Sequence, residues 1–130
     1  MSSNYSISKK SNYNFEETLE KIIEALKSEG FGVLTEIDVK ATLKKKINVE
    51  FNNYKILGAC NPPFAHKALL VEEEIGLMLP CNIIVYENRE KEIIVSAIKP
   101  SLAMQTIGNA DLNSIATEIE KKLESVINKF

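Results

Sequence analysis

The stretch "CNIIVYENREKEIIVSAI", Cys81 to Ile98, decides the fold. Two runs rich in Ile and Val, "CNIIVYE" and "EIIVSAI", flank the charged turn Asn88-Arg89-Glu90-Lys91. β-Branched side chains pack well on a pleated surface, and a short polar turn between two such runs folds the chain back antiparallel to itself. Pro100 stops the second run, because proline has no N–H to give to a sheet. With this hairpin, and without a crossover series of the dinucleotide-binding type, the sheet is expected to be mostly antiparallel.

Working outward, "YKILGAC" (Tyr54 to Cys60) reads as a strand and "PPFAHKALL" as a helix. Asn61 suits the N-cap, and Pro62 and Pro63 fall in the first turn, where a missing N–H costs nothing. The run "FGVLTEIDV" alternates Phe31, Val33, Thr35, Ile37 and Val39 against Gly32, Leu34, Glu36 and Asp38, the pattern of a half-buried strand. Asp38 then caps a short helix with Leu43 and Ile47 four residues apart. Nearer the N-terminus, Asn14 with Glu17 in the capping-box position opens a helix striped by Phe15, Leu19, Ile22, Ile23 and Leu26, and Gly30 ends it. Asn4 to Lys9, around Tyr5 and Ile7, reads as an opening strand. At the other end Asp111 is expected to cap a long helix striped by Leu112, Ile115, Ile119, Leu123 and Val126.

This order predicts a two-layer α+β fold: a mostly antiparallel five-stranded sheet, its strands around Ile7, Val33, Ile56, Ile84 and Val95, with the helices from Phe15 and Leu112 on one face. The expected core is Leu19, Ile22, Leu26, Val33, Ile56, Ile84, Val95, Ile115, Ile119 and Leu123. An open sheet also leaves two edges to shield, which favours a homodimer.

Composition bounds the rest. A chain of 130 residues, 45% apolar and 26% charged, suits one globular domain, residues 1–130. Its most apolar region, Ile75 to Val85, is broken by Pro80 and Asn82 and falls short of the ~20 residues that span a bilayer, so no membrane partner is expected. The opening "MSSNYSISKK" lacks the apolar centre of a signal peptide, which places the protein in the cytoplasm, where thiols stay reduced. Sixteen basic against eighteen acidic residues give a net charge of −2, with no broad footprint for a phosphate backbone. Lys40 and Lys44-Lys45-Lys46 read as a solvated helix face, and nucleic acid is not an expected partner.

Chemistry concentrates in "LGACNPPFAHKALLVEEEIGLMLPCNII", Leu57 to Ile84, which holds both cysteines, the single histidine and three of the four prolines. Two Cys-Asn pairs, Cys60-Asn61 and Cys81-Asn82, stand either side of His66. Four readings are open. Both cysteines are buried structural residues at strand ends, with Asn61 and Asn82 forming cap and turn. Or Cys60, His66 and Cys81 are soft ligands for zinc or copper(I), the shell completed by Glu73, Glu74, water or a partner subunit. Or Cys60 is a reactive thiol, its charge favoured by the following helix start, with Cys81 as resolving partner and His66 as assisting base. Or a pocket under the sheet, lined by Met78 or Met104, takes a small molecule or a protein segment of unknown identity. No Cys-x-x-Cys motif, paired carboxylates, Gly-rich phosphate loop or Ser-His-Asp arrangement points to an enzyme class.

Three blocks carry a resemblance: Gly30-Phe31-Gly32-Val33, Leu57-Gly58-Ala59-Cys60-Asn61-Pro62 and Leu79-Pro80-Cys81-Asn82. From about Tyr5 to the last helix, the chain resembles the family called domain of unknown function 302. The resemblance implies a TATA-binding-protein-like architecture, a curved antiparallel sheet with helices on one side, and brings no established activity. Asn48 departs from the glycine often found at that helix end, a change asparagine tolerates because it enters the left-handed region readily.

Overall fold

In a computed structural model, which describes residues 3–130, the expected order of elements is present with two additions. The chain runs β1 (Ser6–Ser11), α1 (Phe15–Ser28), β2 (Gly32–Asp38), α2 (Val39–Ile47), β3 (Tyr54–Cys60), α3 (Pro62–Val71), a 3₁₀ helix (Glu73–Met78), β4 (Cys81–Glu87), β5 (Ile93–Ile98), α4 (Pro100–Gln105) and α5 (Ala110–Ile127). The five strands form one antiparallel sheet in the order β1-β5-β4-β3-β2. The fold is α+β, with a layer of helices on an open sheet.

Local chemistry explains most boundaries. At the start of α1, Asn14 Oδ1 accepts from the Glu17 N–H at 2.8 Å while Asn14 Nδ2 donates to Glu17 Oε1 at 2.8 Å, a reciprocal box that satisfies an orphan amide. Asp38 Oδ1 accepts from the Ala41 N–H at 2.9 Å to start α2, and Asn48 ends it with φ 55° and ψ 40°, the left-handed conformation expected there. Asn88 shapes the hairpin turn, its Oδ1 accepting from the N–H groups of Glu90 and Glu92. Two boundaries differ from the sequence reading. The first strand begins at Ser6, leaving Tyr5 61% exposed. The cap of α5 is Asn109, whose Oδ1 accepts from the Leu112 N–H at 3.2 Å and whose Nδ2 donates to the Val71 carbonyl at 2.9 Å; Asp111 lies inside the first turn. There its charge faces the positive helix end, which favours acidic residues at N-cap and first turn alike.

The core forms where α1 and α5 cover the sheet. Leu19, Ile22, Leu26, Val95, Ile119 and Leu123 are buried as expected, and Val33 and Ile115 pack partly buried against them. Ile56 and Ile84 are corrections: they pair with each other across β3 and β4 on the opposite face, while their neighbours Leu57, Ile83 and Val85 are fully buried. A strand with apolar residues on consecutive positions leaves its inward face undecided, and the β4–β5 register resolves it by setting Val85 opposite the core residue Val95. In β2 a bulge between Val33 and Thr35 leaves Val33 opposite Ala59 on the core side and puts Thr35 and Ile37 on the open side, opposite Gly58 and Ile56.

A second, smaller cluster (Ala68, Ile75, Met104, Leu112 and Ala116) joins α3, the 3₁₀ helix, α4 and α5 beyond the end of the sheet. The 3₁₀ helix and α4 are the two additions. Pro100 both stops β5 and opens α4, since a fixed φ and a missing N–H suit a first helical turn.

Candidate functional site

The two hydrophobic clusters meet at a narrow, partly open cavity. It is lined from the larger cluster by Phe31, Ala59, Cys81 and Ile119, and from the smaller by Ala68 and Met104. Cys60, Asn61, Pro80 and Ile115 complete most of its wall, and about 20 Å³ is open to a water-sized guest. Strand register explains the convergence. Ala59 lies opposite Cys81 on neighbouring strands, so Cys60 is one step off register from Cys81. Where β3 ends and the chain turns into α3, Cys60 joins the cavity wall.

The two thiols differ. Cys81 is buried and Cys60 half-buried. Burial in apolar surroundings pushes the Cys81 thiol up from 9.0 to about 11, and the charge of a neighbouring Cys60 thiolate adds to the rise. Cys81 is therefore protonated throughout the neutral range.

Asn61 takes the N-cap position of α3 without making a side-chain cap bond. It is buried and its Nδ2 donates instead to the Glu29 carbonyl at 3.2 Å, tying the turn after Cys60 to the end of α1. Gly30 supports this tie: its φ is 86°, and a Cβ there would come within 3.2 Å of Asn61 Nδ2. Pro62 and Pro63 occupy the first turn of α3 beyond Cys60, so that turn has two fewer free amides. Gly58 joins the two Cys-Asn segments. A Cβ on it would collide with Thr35 Oγ1 and stand 2.6 Å from Pro80 Cγ, so the close approach of the segment before Cys81 requires glycine. The Leu79–Pro80 peptide bond is cis.

The remaining candidates stand apart. His66 is exposed on α3, between Ala65 and Ala68, the two residues that turn toward the cavity; His66 is not part of its wall. Glu73 and Glu74 are exposed on the 3₁₀ helix. Among the described residues no group of three or more His, Cys, Asp or Glu is placed to hold a metal ion. Asn82 is a correction to its expected turn role: it lies within β4, exposed on the open face. There it lines a groove of about 310 Å³ with Tyr5, Ile84, Tyr86, Ser8 and Ser96. Ser8 Oγ and Ser96 Oγ are 2.6 Å apart across β1 and β5, and Tyr86 stacks on Tyr54 with ring centroids 5.3 Å apart. Met104 lines the cavity and Met78 does not.

The model of the family "Domain of unknown function DUF302" matches residues 7–130. The chain belongs to this family. DUF302 chains include a relative of known structure: the crystal structure of an uncharacterized conserved DUF302 protein from Bacillus stearothermophilus is similar over 98% of both chains, with a TM-score of 0.92 and 29% sequence identity. No curated protein matches the sequence. Among the described residues no helix is long and apolar enough to cross a membrane.

Proposed function

We propose that this DUF302 protein is a thiol-based redox module in which Cys60 attacks and Cys81 resolves. One observation carries the reading: both cysteines of the chain line the same cavity. Strands lie ~4.8 Å apart and residues rise ~3.3 Å, so a diagonal pair has Cα atoms about 6 Å apart, within disulfide range, and the turn into α3 directly after Cys60 is what allows its sulfur to swing to the side that Cys81 faces. The Cys60 thiolate attacks a disulfide R–S–S–R′, forming a mixed disulfide and releasing R′S⁻. Cys81, once deprotonated, attacks the Cys60 sulfur, closes the intramolecular disulfide and releases RS⁻. Two electrons pass to the substrate and two protons leave the protein. In the reducing cytoplasm expected from the sequence, the pair rests as the dithiol. His66 has no part in this reading, because it lies outside the cavity wall.

The test is oxidation by glutathione disulfide followed by mass spectrometry. Wild type should yield the Cys60–Cys81 disulfide, and Cys81→Ser should stop at the mixed disulfide on Cys60. Wild type that stops at the mixed disulfide refutes the resolving role.

The open-face groove favours a second reading, a site for a small amphipathic molecule stacked on Tyr86 and bonded to Asn82, Ser8 and Ser96. Amide chemical shifts along β1, β4 and β5 in a fragment titration check it, and a fragment set that moves none of them sinks it. The homodimer inferred from the open sheet gains support from exposed Leu34 and Ile37 on the edge strand β2, and light scattering that gives a monomer at micromolar concentration would overturn it.

A further inference from the structure

Three sulfur-bearing residues line the cavity between the two hydrophobic clusters: Cys60, Cys81 and Met104. Resting on the reading of Cys60 and Cys81 as a functional pair, we propose that the reduced protein binds one copper(I) ion in this cavity, held by the two cysteine thiolates and the Met104 thioether.

Donor chemistry selects the ion. Thiolate and thioether sulfur are soft ligands that favour copper(I), an ion content with three donors. Zinc needs four, and neither a carboxylate nor an imidazole lines the cavity. The one amide there, Asn61, already donates to the Glu29 carbonyl. Size selects it again. About 20 Å³ admits a single ion or water and excludes an organic molecule. A water there would find few of the two to four polar partners it needs, since eleven of the twelve lining residues carry neither a hydroxyl, an amide nor a charge in their side chains, the two thiols among them.

 Asn61 is the only one of the twelve with nitrogen or oxygen in its side chain.

The fold also holds the third donor in place. Met104 is buried on α4, and α4 is fastened to α5 where the N–H and hydroxyl of Ser101 both donate to Glu120 Oε1. Binding balances as Cys60–SH plus Cys81–SH plus Cu⁺ giving two S–Cu bonds and two protons released, with no change in oxidation state. The Cys60–Cys81 disulfide has no thiolate to offer, so oxidation of the pair releases the ion.

The experiment is an anaerobic titration of the reduced full chain with copper(I) against a chromogenic chelator, with X-ray absorption of the loaded protein. Wild type should take one ion per chain with three sulfur neighbours. Met104→Leu keeps the volume of the side chain. It should weaken binding by about tenfold or more, the scale on which metal sites respond to loss of a supporting group, and leave two sulfurs. Cys60→Ser and Cys81→Ser should each abolish competition with the chelator. Equal affinity in wild type and Met104→Leu overturns the three-sulfur site. Wild type that closes its disulfide with glutathione disulfide yet cannot compete for copper(I) overturns the copper proposal and leaves the redox reading standing. Copper(I) binding without disulfide closure does the reverse.

Discussion

Raising the pH should weaken the fold through one buried thiol. Burial holds Cys81 at about 11 in the folded chain, against 9.0 for an ordinary thiol. A group whose folded pKa lies above its unfolded value stabilises fully below the unfolded pKa and loses that contribution as pH rises through the folded one. The window is therefore pH 9 to 11. At 1.36 kcal/mol per pKa unit, the loss is about 3 kcal/mol, a large fraction of the ~5–15 kcal/mol that holds a typical domain together. Two other groups titrate alongside. Tyr54 is pushed up by burial and then by Tyr86 and Tyr5, and Lys55 by its hydrogen bond to Glu36, so both also lose stability in alkali. Cys81→Ala retains those two and removes the thiol. Urea denaturation followed by circular dichroism, repeated from pH 7 to 11, should show wild type losing about 3 kcal/mol more than Cys81→Ala across the window. Parallel curves for the two proteins would refute the assignment of a buried, protonated thiol.

Other substitutions probe the frame around the cavity. Gly58→Ala should destabilise by about 1–3 kcal/mol in the same assay, the cost of overpacking against Pro80 and Thr35; an unchanged midpoint would show that the contact relaxes freely. Asn61→Ser and Asn61→Ala should each lose about 1 kcal/mol, because serine can cap a helix but cannot reach the Glu29 carbonyl. A serine variant as stable as wild type would restore the capping role. Ile83→Ala should cost about 2–5 kcal/mol and Ile84→Ala distinctly less, since Ile83 is fully buried and Ile84 faces the open side. The reverse order would overturn the strand register.

Much of the fold was legible because its signals are local. Asn14 with Glu17, Asp38 before Ala41 and the Asn88 turn each satisfy backbone amides within four residues, so residue type alone reveals them. What failed needed partners distant in sequence. "NIIVYE" offers Ile83 and Ile84 equally, and only pairing with β5 selects Ile83 for the core. The bulge at Leu34 leaves an apparently unbroken alternation in β2 while reversing which side Thr35 and Ile37 face. Asn109 outcompetes Asp111 as the cap of α5 because its amide also reaches Val71, 38 residues earlier. The site follows the same division. The cysteines and Met104 could be singled out from the sequence, but their meeting at one cavity depends on α4, an element that no periodicity announced over its short length.

The doubled Cys-Asn pair looks like one motif used twice, and strand geometry argues otherwise. Side chains alternate along a strand, so once Cys81 faces the core, Asn82 must face the open groove. Asn61 stands two residues after core-facing Ala59, so the same alternation carries it inward to hold the end of α1, and Cys60 between them reaches the cavity only because β3 ends there and the chain turns into α3. The two asparagines therefore belong to different surfaces, and the two cysteines to one cavity. Residues 81 and 82 are adjacent in the chain yet separate the readings: a change at Cys81 acts on the thiol cavity, and Asn82→Ala acts on the groove. If the groove binds a small molecule, Asn82→Ala should weaken that binding while Cys60 alkylation and disulfide closure keep their wild-type rates. Loss of disulfide closure in Asn82→Ala would mean that β4 couples its two faces, and the cavity and the groove would then have to be treated as one site.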